Sequence, residues 1–309
     1  MKVMSIINYK GGVGKTTLTA NIALGLASKG HRVLIVDLDP QTNLTFSFIK
    51  IEEWQKYYAE NRTIRNWFDG VIDQVEVSFE DLKISVGKNL YLISSHLELM
   101  DIDRHLIANL MGTERTARAN HEKTYSYILQ EIQSIRGEYD YVLFDCPPNF
   151  SIVTQNALIA SDYYMIPSKM DYTSTMGVSQ LKSQIDKMLT TYNELSRGRT
   201  VSPEFLGVIA TMVGVQGNQA NEMQKINKRY VNELRRAGIE VFDSFIREDK
   251  AVYGANPIET GHAIDSKLPV ETYASARYEL RQIVKEIMVK TKNPRSRLSE
   301  KLQSIKLSQ

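Results

Sequence analysis

The chain has 309 residues, 42% hydrophobic and 24% charged, which suits a single α/β core of ordinary globular composition. No apolar run approaches a membrane span, so a membrane partner is not expected, and Met1-Lys2 leads directly into an apolar run, so no secretory leader is expected. A lone cysteine, Cys146, rules out an internal disulfide and suits a reducing cytoplasm, and a formal net charge of +2 leaves local charge clusters rather than the overall field to select partners.

The first strand is predicted at 2–7, with Val3 to Ile7 as its apolar run, and the first helix at 15–29, stopped by Gly30. Between them stands Asn8-Tyr9-Lys10-Gly11-Gly12-Val13-Gly14-Lys15-Thr16-Thr17. Glycines here let backbone N–H groups converge on a polyanion at the positive end of the following helix. The segment therefore reads as a phosphate-binding loop for a nucleoside triphosphate, formed by Gly11, Gly12, Val13, Gly14, Lys15, Thr16 and Thr17. Lys15 is placed to reach the β- and γ-phosphates and Thr16 to hold Mg²⁺. The strict G-x-x-x-x-G-K-[ST] pattern is not met, because position 9 is Tyr; the form present is K-G-G-x-G-K-T, with the additional lysine Lys10.

A second strand at 32–38 runs into Asp37-Leu38-Asp39-Pro40-Gln41, and another at 140–145 ends in Asp145-Cys146-Pro147-Pro148. Ligands of parallel sheets sit beyond the carboxyl ends of the strands, which sets Asp39 and Asp145 beside the phosphates and the metal. Residues 51–85 are rich in aromatic and charged side chains and read as a small helical insertion on the sheet edge. Further strands are predicted at 90–94, 163–167, 205–212 and 241–246, and further helices at 121–136, 151–160, 177–194, 218–237 and 272–290. In the helix at 218–237, Met223, Ile226, Tyr230 and Leu234 share one face that should look inward.

Strands alternating with helices predict an α/β fold: a mostly parallel twisted sheet with helices on both faces, of the P-loop NTPase kind. The expected organisation is one domain over 1–290, with a helical insertion at 47–85 and a basic C-terminal helical tail at 291–309. From Arg277 to Gln309 there are nine Lys/Arg against three acids, and Lys225, Lys228, Arg229, Arg235 and Arg236 cluster against Glu233.

Together these motifs resemble ParA-type partition ATPases of the deviant Walker A class, in the ParA/MinD superfamily. The likeness extends to Ile166-Pro167-Ser168 with Met176-Gly177-Val178, and to Phe242 through Pro269; it is weakest over 47–85 and after Lys290. It implies that Lys10 is the signature lysine, acting in trans across an ATP-dependent homodimer. Lys15 is then the phosphate lysine and Thr16 the magnesium ligand. Asp39 becomes the carboxylate that positions the attacking water, and Asp145 the Walker B carboxylate behind the magnesium. The catalytic set is thus Lys10, Lys15 and Asp39, with Thr16, Asp39 and Asp145 around the metal, and ATP and Mg²⁺ as the expected ligands. The resemblance further implies non-specific binding of double-stranded DNA and a nucleoid-associated, cytoplasmic location. It implies hydrolysis stimulated by a ParB-type centromere-binding protein, in the service of plasmid or chromosome partition. The basic stretches supply Lys228, Arg229, Arg235, Arg236, Arg277, Arg281 and Lys285 as the expected DNA contacts.

One cysteine cannot furnish the paired cysteines of the iron–sulfur relatives, and with nine residues before Lys10 no helix-turn-helix, and so no sequence-specific operator binding, is expected ahead of the loop. A MinD-like membrane-cycling ATPase is the main alternative. It would need an amphipathic membrane helix, and the tail offers only Leu298, Leu302 and Ile305 beside Arg297, Lys301 and Lys306, without Trp or Phe. A ParA-like positioner of another cargo would share the same site.

Overall fold

A computed structural model describes residues 1–110, 114–196, 200–215, 223–266 and 271–292. Eight strands form one sheet: β1 Lys2–Ile6, β2 Val33–Asp37, β3 Ile84–Gly87, β4 Leu90–Ile93, β5 Tyr141–Asp145, β6 Tyr163–Lys169, β7 Glu204–Val213 and β8 Val241–Arg247. Their order is β3-β4-β2-β5-β1-β6-β7-β8. Every pairing is parallel except β3 with β4.

The helices are α1 Lys15–Ala27, α2 Asn43–Phe48, α3 Ile51–Tyr57, α4 Ile64–Asp73, α5 Phe79–Leu82, α6 Leu99–Leu110, α7 Glu114–Tyr125, α8 Tyr127–Ser134, α9 Ile152–Ala160, α10 Tyr172–Leu195, α11 Lys225–Arg236, α12 Lys250–Tyr253, α13 Pro257–Thr260 and α14 Glu271–Lys290. They cover both faces of the sheet. Strand alternation divides the apolar side chains cleanly: Val3, Leu34, Val36, Val142, Phe144, Tyr164 and Ile166 join one core, against α4, α6, α8, α9 and α10. Met4, Ile6, Val33, Ile35, Tyr141, Leu143 and Met165 join the other, against α1 and α14. A strand buried on both faces has to read as a nearly continuous apolar run, which is how β2 and β5 are written up to their final Asp, and β1 from Val3 apart from the buried Ser5.

Several expected boundaries shift for local reasons. The helix expected at 121–136 is two helices, α7 and α8, separated at Ser126. The helix expected at 177–194 starts at Tyr172, because Asp171 accepts the Ser174 N–H at 2.8 Å and caps it. Of the helix expected at 218–237, positions 218–222 lie outside the described residues and α11 begins at Lys225. The inward stripe is also corrected: Ile226 is 51% exposed, whereas Val231 joins Leu234 in the core. Strand β3 was not expected; it is a four-residue antiparallel edge strand that turns into β4 with Asn89 at φ 59°. In the 47–85 stretch Trp54, Trp67 and Phe68 are buried. Of the expected tail only Thr291 and Lys292 are among the described residues.

Candidate functional site

The site is built where β1, β2 and β5 end side by side. Their register puts Ile6 opposite Asp145, and Asp37 opposite Asp145 on the other edge of β5. The loop from Asn8 to Gly14 leaves β1 and feeds α1. Gly12 and Gly14 have φ of 66° and 84°, in the left-handed region that side-chain-bearing residues avoid. Gly14 is the N-cap of α1 and, lacking a side chain, caps nothing. The first N–H groups of α1 therefore face the loop concavity without side-chain acceptors, as an anion site requires.

Two bonds hold the loop in shape from behind: Thr211 Oγ1 on β7 donates to the Val13 carbonyl at 2.9 Å, and Asn8 Nδ2 donates to the Pro167 carbonyl on β6 at 2.7 Å. Val13 itself is fully buried. Lys15 is 7% exposed, and its ammonium meets the Lys10 carbonyl at 3.4 Å. Burial lowers its pKa, and the nearby carboxylates of Asp145 and Asp39 partly offset that.

Asp145 is buried and accepts two hydroxyls from α1, Thr16 Oγ1 at 2.7 Å and Thr19 Oγ1 at 3.0 Å. Burial pushes its carboxyl up, against those hydroxyls and Lys15. Asp39 is 8% exposed and lines the same cleft; one of its oxygens accepts the Gln41 N–H at 3.0 Å. Asp37, fully buried, fixes that turn: it accepts the Asp39 N–H at 3.1 Å and both the N–H and hydroxyl of Thr45, at 2.8 and 2.7 Å. Burial first, and then the Asp145 charge, raise its pKa.

A cleft of about 620 Å³ opens over the loop and reaches Asp39, Asn43, Tyr253 and His262. A second, of about 500 Å³, adjoins it through Gly14, Thr17, Met212 and Tyr253 and runs on toward Lys250. The Tyr253 hydroxyl is buried without a hydrogen-bond partner among the described residues, on the wall common to both. These features fit a nucleoside triphosphate and magnesium: an uncapped helix start, a buried ammonium, and a hydroxyl on the face of a buried carboxylate.

Lys10 stands at the rim of the site, with its ammonium against the start of α10 at Asp171, Thr173 and Ser174. The structure thus gathers Gly11, Gly12, Gly14, Lys15, Thr16, Thr17 and Asp39 around one cleft. Asp145 backs it through Thr16. Missed in the sequence were Thr19, Asp37, Asp171 and Thr211; Thr19, Asp171 and Thr211 act on partners far along the chain, Asp145, Lys10 and Val13, whereas Asp37 acts nearby on Asp39 and Thr45, where the doubled Asp37-x-Asp39 offered a local hint.

Within one protomer the expected DNA residues fall on two helices, α11 and α14. Arg229 is paired with Glu233 at 2.9 Å, and Arg235 with Asp243 at 2.6 Å. Arg277 is half-buried and donates to the Ser266 carbonyl. Lys228 and Arg236 on α11, and Arg281 and Lys285 on α14, are exposed, with no ion-pair partner among the described residues. Helix α11 packs on the face of α10 and α14 on the face of α1, so the two stripes flank edge strand β8 from opposite sides.

Comparison with known proteins follows this geometry. Residues 1–196 match the AAA domain family model AAA_31. The sporulation initiation inhibitor protein Soj of Bacillus subtilis (strain 168) is 31% identical over 75% of this chain and 81% of its own length. The chromosome partitioning protein ParA of Caulobacter vibrioides is 30% identical over 73% of this chain and 74% of its own. The chain belongs to the ParA-type partition ATPases of the ParA/MinD superfamily. Its fold is also that of cobyrinic acid a,c-diamide synthase from Mycobacterium smegmatis, solved with a bound ATP analogue and magnesium, at TM-score 0.66, 20% identity and coverage of 92% and 93% of the two chains. Within this ParA-type chain no described helix is long and apolar enough to cross a membrane.

Proposed function

We propose that the chain binds ATP with Mg²⁺, dimerises on it, grips duplex DNA without sequence preference and hydrolyses ATP to drive plasmid or chromosome partition. The observation that carries this reading is the uncapped start of α1 with Lys15 and the Thr16–Asp145 pair beneath it. The α1 N–H groups and Lys15 take the phosphates. Thr16 and Asp145 hold the metal's side of the site, and magnesium, when bound, neutralises charge on the phosphate oxygens. Asp39, held by its Asp37-fixed turn, orients the attacking water; as a weak base it works mainly by positioning.

Lys10 crosses to the partner protomer's phosphates and meets the charge that grows in the transition state. Pairing two protomers brings the free cations of α11 and α14 into one composite surface, of which Lys228, Arg236, Arg281 and Lys285 are the DNA contacts. A ParB-type centromere-binding protein stimulates hydrolysis and so releases the DNA. Such a cycle places the protein in the cytoplasm, on the nucleoid.

The test is sedimentation with and without duplex DNA, in ATP, ADP or no nucleotide. The expected result is a dimer and DNA retention in ATP alone, with binding that falls steeply as salt is raised. A monomer in saturating ATP would remove the proposal.

A further inference from the structure

Asp39 stands in a turn whose two ends close on one carboxylate. Asp37 Oδ1 takes the Asp39 N–H at 3.1 Å, and Asp37 Oδ2 takes the N–H and the hydroxyl of Thr45 at 2.8 and 2.7 Å. The Thr45 hydroxyl makes a second bond, accepting the Ser95 N–H just past β4 at 2.9 Å. A hydroxyl has one proton to give and two lone pairs to take with, so the Ser95 N–H occupies a lone pair while the proton is aimed at Asp37. One oxygen thereby ties together the end of β2, the first turn of α2 and the segment after β4. Asp37, Thr45 and Ser95 are all fully buried, whereas Asp39, Gln41, Asn43 and Phe46 line the cleft.

Between its ends the turn is strained. Thr42 has φ 57° and ψ 19°, a left-handed conformation that β-branched residues avoid. Its hydroxyl goes to the Gln41 carbonyl at 2.7 Å and gives α2 no side-chain cap. Strain of this kind lasts only where the surroundings over-determine the chain. Here Asp37 holds one end and Thr45 the other, with the Thr42 N–H on the Asp39 carbonyl at 2.9 Å between them. Freed at Thr45, the turn relaxes and carries the Asp39 carboxylate with it.

We propose that Thr45 is a positioning residue for ATP hydrolysis: with Asp37 and Ser95 it forms a clamp behind the cleft that sets the Asp39 carboxylate where it orients the attacking water. This rests on the reading of Asp39 as the water-orienting group. The phosphate loop is held separately, from β6 and β7, so the clamp governs turnover and leaves nucleotide binding alone. Displacing a reacting group by about 1 Å costs on the order of 10²-fold in rate.

The experiment measures single-turnover hydrolysis and, separately, ATP affinity by calorimetry, for the unmodified chain, Thr45→Val, Thr45→Cys, Thr45→Ser and Asp39→Ala. Valine keeps the shape of threonine and loses the hydroxyl, and serine keeps the hydroxyl. Cysteine, a weak donor and acceptor, carries the comparison should the valine variant not fold. Thr45→Val is expected to slow hydrolysis by about 10–100-fold, with ATP affinity changed by less than about twofold. Thr45→Cys should lose roughly three- to tenfold, and Thr45→Ser should stay within about threefold of the unmodified chain. In an Asp39→Ala background Thr45→Val is expected to have no further effect on hydrolysis; a residue serving the fold alone would slow both backgrounds alike.

Hydrolysis unchanged in Thr45→Val and Thr45→Cys, with Asp39→Ala slow, overturns the clamp and leaves the role of Asp39 standing. So does an equal further loss in the Asp39→Ala background. Normal hydrolysis by Asp39→Ala removes both.

Discussion

Among the described residues the Lys15 ammonium hydrogen-bonds the Lys10 carbonyl, at 3.4 Å, and it is held with its charge partly desolvated beside Asp145 and Asp39. A triphosphate adds direct contacts and counter-charge to this partly desolvated ammonium, so Lys15→Ala should weaken nucleotide binding by about 100-fold or more, measured by calorimetry. Asp39→Ala should leave ATP binding and dimerisation in place and slow turnover by about 10²–10⁴, giving a long-lived ATP dimer in single-turnover assays. Unchanged turnover would assign the water to another group. These side chains were legible in the sequence because a phosphate loop imposes local spacing: Lys15 and Thr16 follow Gly14 directly, and Asp39 and Asp145 end apolar runs. Asp37 and Thr19 were not: Thr19 works on Asp145, which the sheet brings near, and Asp37 works on Thr45, eight residues on, only because the turn after β2 folds α2 back onto it.

At the scale of elements, β8 is fastened to α14 by a buried ion pair. Arg247 Nη2 and Glu279 Oε1 are 2.6 Å apart with side chains 12% and 6% exposed, and Glu279 Oε2 takes the Arg247 N–H at 3.1 Å. Glu279→Ala would remove the carboxylate that both the Arg247 guanidinium and the Arg247 N–H meet. It should cost about 3–5 kcal/mol in urea unfolding at pH 7; a loss under 1 kcal/mol would show that other groups or water answer Arg247.

A second joint lies where α13 meets α2. His262, after α13, faces Ser47 at 3.2 Å and stacks on Phe48 at 4.3 Å between centroids. Burial lowers its pKa to about 4. The folded chain therefore binds fewer protons than the unfolded one between these values. Its contribution is complete above the unfolded value near 6.5 and is lost as pH falls toward 4, at most about 3 kcal/mol. His262→Gln should flatten the difference in unfolding free energy between pH 7 and pH 4.5; an unaltered difference would place the acid sensitivity elsewhere.

Element reading from sequence succeeded where burial was two-sided, as for β2 and β5. It failed at β3, whose exposed Ser85 and terminal Gly87 carry little pattern, and at α10, whose true start depends on the Asp171 cap.

For the whole molecule, charge placement outweighs charge total. The lysine and arginine runs look continuous along the chain, yet folding spends Arg229, Arg235 and Arg277 on internal partners and sets the free cations on two faces around β8. Substituting Lys228 and Arg236, or Arg281 and Lys285, with Gln should reduce ATP-dependent DNA retention and lower the slope of log affinity against log salt by about 0.9 for each phosphate contact removed. Arg229→Gln should do much less, because that side chain already answers Glu233. Equal losses from Arg229→Gln and Lys228→Gln would show that the pairing does not decide the surface. The i,i+4 spacing of Arg229 and Glu233 could have been read from the sequence, whereas the partners of Arg235 and Arg277 lie in other segments that only the fold brings near.

The strand bearing the phosphate loop sits fifth of eight, clasped between β5 and β6 and wrapped by apolar packing above and below. Its amide protons should be among the slowest in the molecule to exchange with solvent, opening only when everything opens. In the proposed cycle a partner that ends the nucleotide state would act at the margins, on the turn bearing Asp39 and the head of α10, rather than on the loop's foundation.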